Sequence, residues 1–250
     1  MNFKPIFGFI AGAFLALNLN ASTIKKGELI VATEGTYSPY SFYDEKGELV
    51  GYDVDIARAV AQKLNLKVEF LTAPWDAMLA AFDAGKADVV FNQVSINEDR
   101  KKKYSMSVPY TMPYPVIVVH KDNNDIKSFA DLKGKKSVHS ATSNWAAIAE
   151  KNGATVVVAD GFSKGVELII SKRADDTIND NVTFYDYIKQ RPNAPLKIAY
   201  TSNEPMPTAA IVKKGNTELL EAINKALDEL KAEGKISEIS MKYFGKDISK

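Results

Sequence analysis

The 250-residue sequence contains no cysteine and only two histidines, His120 and His139. The first absence excludes disulfides, thiol chemistry and a lipid-bearing cysteine near the N-terminus. The second leaves no HxxxH or HxxH pair, so neither a zinc site nor a histidine-based catalytic triad is expected. No GxxxxGK[ST] phosphate loop and no GxGxxG dinucleotide fingerprint occurs. The formal charge of +1 provides no basic excess for a nucleic-acid partner. Beyond residue 17 no apolar run approaches the roughly 20 residues that a membrane helix needs. Catalytic residues, metal ligands and cofactors are therefore all expected to be none.

The first stretch differs in kind. Met1 to Leu17 carries one cation, Lys4, and then an apolar run from Ile6 to Leu17, followed by polar residues and small residues at Ala21–Ser22. A cationic start, a short apolar segment and a small residue at the cut mark a secretory signal peptide, here residues 1–21. Leu19, at position −3 from that cut, is not small and blurs the cleavage position. The expected location is periplasmic or otherwise extracytoplasmic. Residues 22–250 carry no net formal charge, and the mature chain is expected to be a soluble monomer. Without disulfides it needs a large apolar core, which its length can supply.

The rest alternates strand and helix patterns. Glu28–Glu34, Lys67–Leu71 and Val89–Val94 read as strands. Asp53–Leu64 carries apolar residues at Ile56, Ala57, Val60, Ala61 and Leu64, which is helical spacing, with Asp53 the expected N-cap. Trp75–Ala84 is the next helix. This order implies a parallel sheet with helices on both faces. The rhythm restarts after Pro109, with a strand over Pro113–Val119 and a short helix at Phe129–Leu132. Strands at Lys135–His139, Thr155–Ala159 and Asp175–Asn179 then alternate with helices at Asn144–Lys151, Ser163–Ser171 and Val182–Lys189. Ala209–Val212 crosses back, and helices Thr217–Glu233 and Ile236–Phe244 close the chain. Gly85-Lys86-Ala87-Asp88 and Lys172-Arg173-Ala174-Asp175 each follow a helix and lead into a strand with a polar end. This echo suggests two similar lobes, and open α/β sheets bind ligands at the carboxyl ends of their strands.

Candidate binding groups sit at such ends. The aromatic-rich segment from Gly35 to Phe42 follows the first strand, and its rings suit either a ligand wall or loop packing. Asn92-Gln93-Val94-Ser95 runs into Asn97 and a charge run from Glu98 to Lys103, which reads most simply as a solvated helix face. Spacing does not select Arg100 within that run; its planar fork, able to grip a carboxylate through two parallel hydrogen bonds, does. Ser140-Ala141-Thr142-Ser143-Asn144 precedes a helix, where hydroxyls and free N–H groups form either a cap or an anion site. Asp180 is either a helix N-cap or a partner for an ammonium. The Asp53-x-Asp55 pair reads as helix-start charge rather than a metal site. Asp176 places an acid in a strand expected to be buried, so it must be exposed, paired or costly.

Taken in order, Glu34-Gly35-Thr36-Tyr37-Ser38-Pro39-Tyr40, Gly51-Tyr52-Asp53-Val54-Asp55, Trp75-Asp76, Asn92-Gln93-Val94-Ser95 with Arg100, Pro109-Tyr110, Asp131-Leu132-Lys133-Gly134-Lys135, Ala174-Asp175, Lys213-Lys214-Gly215-Asn216 and Tyr243-Phe244-Gly245 resemble the polar amino-acid family of extracytoplasmic solute-binding proteins, family 3, of ABC importers. The resemblance implies an α/β fold of two lobes, each a mostly parallel sheet flanked by helices, joined by two crossover strands. Residues 22–112 and 210–250 would form lobe 1 and residues 113–209 lobe 2. It implies a free amino-acid ligand and the permease subunits of an ABC importer as partners, with no enzymatic step. Arg100 would clamp the α-carboxylate, helped by Ser95 and the Thr142–Ser143 helix start, and Asp180 would pair with the α-ammonium. Tyr37 and Trp75 would sandwich the side chain, with Glu34, Asn92 and Gln93 beside it. Ser140-x-Thr142-Ser143-Asn144, Asn179-Asp180 and Pro192-Asn193-Ala194 are most similar to the cystine/cysteine-binding branch. Thr111-Met112-Pro113-Tyr114-Pro115 and His139-Ser140-Ala141 depart from the family pattern at the hinge and at the anion site. The alternative from another class is a cyclohexadienyl dehydratase-like enzyme on the same fold, with Glu34 as general acid. A sensor ectodomain would need a membrane span after the binding region.

Overall fold

The structure, a computed structural model, describes residues 22–250; the signal-peptide expectation for residues 1–21 lies outside them. The first part of the chain runs β1 (Glu28–Thr33), β2 (Thr36–Tyr37), β3 (Ser41–Tyr43), β4 (Leu49–Val50), α1 (Tyr52–Lys63), β5 (Lys67–Thr72), α2 (Trp75–Asp83), β6 (Val89–Ser95), α3 (Glu98–Lys103) and β7 (Tyr104–Met106). The middle runs β8 (Pro115–His120), a 3-10 turn at Phe129–Leu132, β9 (Lys136–His139), α4 (Asn144–Lys151), β10 (Thr155–Val158), α5 (Phe162–Ile170), β11 (Asp176–Asp180), α6 (Asn181–Gln190) and β12 (Leu196–Thr201). The chain then returns through β13 (Thr208–Lys213) to α7 (Thr217–Ala232) and α8 (Lys235–Phe244).

Two five-stranded sheets result, one per lobe. Lobe 1 has the order β5-β1-β6-β13-β7 and lobe 2 the order β10-β9-β11-β8-β12. The sheets are mixed rather than purely parallel: β13 runs antiparallel to β6 and β7, and β8 antiparallel to β11 and β12. The reason is topological. The parallel strands end at the cleft, so a chain arriving from the other lobe enters its new sheet at the cleft edge and runs the opposite way. The crossover segments touch at an isolated antiparallel bridge between Thr111 and Thr208.

Periodicity explains the layers. On α1 the residues Ile56, Ala57, Val60 and Ala61 are buried against α7, α8 and one face of the lobe 1 sheet. On the other face α2 packs Met78, Leu79 and Phe82 onto Val90 and Ile211. Lobe 2 repeats the arrangement, with Val166 and Ile169 of α5 on Val116, Val118 and Val138, and Ala149 of α4 beside Ile117 and Ile178. Each such large aliphatic side chain contributes about 1.5–3 kcal/mol when fully buried. β6 (VVFNQVS) is buried along its whole length, as a central strand covered on both faces must be.

Asp53 is not the N-cap of α1. That position is Gly51, whose φ of 132° is left-handed and where a Cβ would collide with the Tyr40 carbonyl. Asp53 lies one residue into the helix, fully buried, and its Oδ1 accepts from Gln93 Nε2 (2.7 Å) and from the Tyr110 hydroxyl (2.9 Å). The small β2-β3-β4 sheet, β7 and β12 went unread in the sequence.

Candidate functional site

The carboxyl ends of the parallel strands of both lobes face one cleft. Glu34, Tyr37, Trp75, Asn92, Gln93, Ser95, Arg100 and Ser143 line it; Thr142 and Asp180, expected in the same set, do not. Val138, His139, Ser140, Asn144, Trp145, Gly161, Phe162, Gly165, Thr177, Ile178 and Asn179 complete the wall from lobe 2.

Asn97 caps α3 by accepting the Arg100 amide at 2.9 Å, and Arg100 is half-buried where its neighbours Lys101, Lys102 and Lys103 are exposed. Its Nη1 donates to the Ser95 carbonyl at 3.1 Å, and its guanidinium lies 5.2 Å from the centre of the Trp75 ring. Burial pushes its pKa down to about 10, and no acidic side chain offsets that burial. It is still a cation at neutral pH. A desolvated cation at a cleft wall without a carboxylate partner among the described residues is poised for an anionic ligand group.

Glu34 is the buried acid of the same wall. Asn92 Nδ2 donates to its Oε2 at 2.7 Å. Burial pushes its pKa up to about 7, with Asp160 and Asp76 adding to the rise and the Asn92 bond opposing it. Near neutrality it is therefore both proton donor and acceptor. Asn92 itself is a positioning group, since its Oδ1 already accepts from Thr33 Oγ1 and the Glu34 amide. Gln93 borders the cleft with a φ of 49°, unusual for a side-chain-bearing residue. Its amide points into the hinge, donating to Asp53 and Thr111 and accepting from Thr208 Oγ1.

Lobe 2 presents different groups. Ser143 caps α4, its Oγ accepting the Ala146 amide at 3.1 Å. Thr142 is held across the cleft instead of facing it. Its amide and hydroxyl both donate to Asp76 Oδ1, at 2.9 and 2.5 Å, the Ala141 amide donates to Asp76 Oδ2, and Trp75 Nε1 donates to Thr142 Oγ1. Asp180 is the N-cap of α6, with the Thr183 amide 2.8 Å from its Oδ1. The Tyr40 hydroxyl reaches Oδ1 at 3.1 Å, and the Tyr37 hydroxyl is 2.9 Å from Oδ2 and 2.8 Å from Asn179 Oδ1. Tyr37 has one proton for these two acceptors. Burial raises the Asp180 pKa, and these donors pull it partly back. Ser38 adds a further bond to Asp186 at 2.8 Å. The two lobes are thus hydrogen-bonded on both sides of the cleft.

His139, beside the expected anion site, and Asn179, beside Asp180 at a strand end, are marked in the sequence but not named there as ligand groups. Trp145, Phe162 and Thr177 carry no such signal; they come from a strand face and helix starts whose aim depends on the packing of α4 and α5.

No helix among the described residues is long and apolar enough to cross a membrane, and no cluster of metal-ligating side chains occurs among them.

Known proteins share this arrangement. The "Probable amino-acid ABC transporter-binding protein" of Haemophilus influenzae is 46% identical, covering 90% of this chain and 88% of that protein. The L-cystine-binding protein TcyA of Bacillus subtilis is 44% identical, covering 93% and 87%. Among solved structures, an ancestral arginine-binding protein bound to arginine is 42% identical with a TM-score of 0.81, covering 88% and 99%. The L-cystine solute receptor of Neisseria gonorrhoeae, in an unliganded open conformation, is 43% identical with a TM-score of 0.60, covering 93% and 98%. Residues 29–246 match the bacterial extracellular solute-binding proteins, family 3, and the chain belongs to that family.

Proposed function

We propose that this chain captures a free amino acid, with cystine or cysteine the foremost candidate, between its lobes outside the cytoplasmic membrane. It delivers the ligand to the permease subunits of an ABC importer as a monomer and performs no chemistry on it. The observation that carries the reading is Arg100, a cation held at the cleft wall with no carboxylate among the described residues to neutralise it. The ligand α-carboxylate takes that place, with Ser95 and the start of α4 at Ser143 as further donors. Asn179 receives the α-ammonium, with the buried Asp180 carboxylate behind it as counter-charge, and the Tyr37 hydroxyl shifts off Asn179 as it arrives. Trp75 and Tyr37 cover the side chain. The cystine preference rests on the names of relatives at 43–44% identity.

Hinge closure accompanies capture. At nearly equal identity the chain superposes better on a ligand-bound relative, at 0.81, than on an unliganded open one, at 0.60. The lobe-to-lobe hydrogen bonds of Tyr37, Tyr40, Trp75 and Asp76 agree with a closed arrangement.

Calorimetric titration with the amino acids and cystine tests the reading. One-to-one binding is expected, and Arg100→Ala should weaken it by a factor of about 100 or more, because the buried ligand carboxylate loses its charged partner. Unchanged affinity in that variant would remove the clamp assignment.

A further inference from the structure

Asp176, Ser137 and His139 form a chain of buried polar groups that the clamp does not use. Asp176 and Ser137 are register partners on the parallel strands β11 and β9. Ser137 and His139 are two residues apart on β9 and so share one face of the sheet. Asp176 and Ser137 are wholly buried and His139 is 5% exposed. Ser137 Oγ lies 2.5 Å from Asp176 Oδ1 and 2.8 Å from His139 Nε2. Asp176 Oδ2 is enclosed without a partner. His139 lines the cleft. With Nε2 committed to Ser137, its Nδ1 is the ring nitrogen left for whatever the cleft holds.

We infer that His139 is a ligand-contacting, specificity-determining residue, and that Asp176, acting through Ser137, sets whether its Nδ1 donates or accepts a hydrogen bond. The inference rests on the reading of the cleft as an amino-acid site. The hydroxyl of Ser137 has one proton and so polarises the chain one way at a time. When Asp176 is a carboxylic acid, it donates to Ser137, Ser137 donates to Nε2, and the imidazole carries its proton on Nδ1. When Asp176 is a carboxylate, Ser137 donates to it, Nε2–H donates to Ser137, and Nδ1 is a bare acceptor. Between these states Asp176 passes its proton to Ser137, Ser137 passes its own to Nε2, and Nδ1 releases one proton to the cleft. The imidazole is neutral in both. The donor form suits a ligand side chain ending in a carboxylate or carbonyl oxygen; the acceptor form suits one ending in an ammonium or amide N–H.

The surroundings permit this. Burial pushes the Asp176 pKa up to about 7, with Ser137 opposing, Asp175 adding and Lys135 opposing. Burial pushes His139 down to about 3, and no neighbouring charge counteracts it. Of the elements packed on β9 and β11, β8 sets Val119 opposite Asp176 and β10 offers only Thr155 and valines. The charged residues of α4 and α5, Glu150, Lys151, Lys164 and Glu167, are exposed, as is Lys189 of α6, while Asp186 of α6 is bonded to Ser38 and Gln190. Asp160, beyond β10, acts on Glu34 rather than on His139.

Nitrogen NMR of the ligand-free, histidine-labelled protein reads the tautomer directly. With two histidines in the chain, His139→Gln assigns the signals. Between about pH 5.5 and pH 8.5 the protonated nitrogen of His139 should move from Nδ1 to Nε2, and Ser137→Ala should abolish the exchange. A single tautomer throughout, or wild-type behaviour in Ser137→Ala, overturns the relay. Calorimetry with L-cystine, L-glutamine and L-glutamate then tests specificity. His139→Gln should change the ratio of affinities among them by about fivefold, the effect of one neutral hydrogen bond. Unchanged ratios overturn the specificity role. If no amino acid and no cystine binds wild type, the amino-acid reading fails and takes the specificity role with it, while the NMR result still decides the relay.

Discussion

Each lobe buries one carboxyl completely, Asp53 in lobe 1 and Asp176 in lobe 2, and the two are alike in several respects. Both are 0% exposed, both have pKa values pushed to about 7 by burial, and both leave Oδ2 without a partner. Their partners differ. Asp53 gathers Gln93 and Tyr110, and Gln93 in turn holds Thr111 and Thr208 of the crossover segments. Asp176 has Ser137 alone, which leads to His139 at the cleft. Equal burial thus serves different ends: one acid braces the hinge, and the other is wired to the ligand cavity.

The largest test of this division is truncation. Asp53→Ala leaves Gln93 Nε2 and the Tyr110 hydroxyl short of an acceptor, at about 1–3 kcal/mol for each buried orphan. A loss of about 3 kcal/mol in urea unfolding is expected, against about 1 kcal/mol for Asp176→Ala, which strips one hydroxyl. Equal losses would mean that the hinge network is not the tighter of the two.

The second test uses pH. A carboxyl whose pKa is raised on folding contributes stability that is fully present below its unfolded pKa and is lost as pH rises through its folded value. For Asp53 and Asp176 that window runs from the ordinary carboxylate range up to about 7. His139 is depressed, so its contribution is present above the ordinary imidazole pKa and is lost as pH falls toward about 3. Acidification from neutrality therefore strengthens the fold through the acids and weakens it through His139. Asp53→Asn should flatten the rise in stability by about 1.4 kcal/mol per pH unit, one proton's worth. Asp176→Asn should flatten it equally, since His139 stays buried and neutral, while Asp176→Asn alone changes the pH dependence of ligand affinity. An affinity profile altered equally by both variants would erase the distinction.

The sequence made these acids only half legible. The buried periodicity of α1 and the apolar β6 showed where elements lie, and helix α4 falls on the expected residues. Asp53 misled because an acid before an apolar helical run is the usual mark of an N-cap, whereas Gly51 takes that place through a φ that only glycine adopts readily. The charge run yielded α3, but the aim of Arg100 depends on the Ser95 carbonyl and on Trp75, a tertiary neighbour. Hydroxyls and acids at helix starts suit a zwitterion, which makes Thr142 and Asp180 candidate ligand groups in the sequence. Neither lines the cleft, because side chains from the opposite lobe reach them: Asp76 and Trp75 for one, Tyr37 and Tyr40 for the other. No spacing rule contains that lobe-to-lobe geometry. Asp176 stood out as an acid on a buried strand, yet its partner is 39 residues away.

The smallest test removes one hydroxyl from each network. Tyr110→Phe deletes one of two donors to Asp53 and keeps the ring packed on Phe91. Ser137→Ala deletes the one hydrogen-bond partner of Asp176. Tyr110→Phe should cost about 1 kcal/mol of stability, the net worth of a single hydrogen bond, and Ser137→Ala about 1–3 kcal/mol, because it orphans the buried Asp176 oxygen. Their effects on binding should then separate. Tyr110→Phe leaves the order of affinities across an amino-acid panel as it is, since the cleft wall keeps every group. Ser137→Ala frees the His139 tautomer from Asp176 and removes that part of the order's pH dependence, leaving the part due to Glu34. Stability measured beside affinity distinguishes the two outcomes from a general loosening, because loosening would lower all affinities together in both variants.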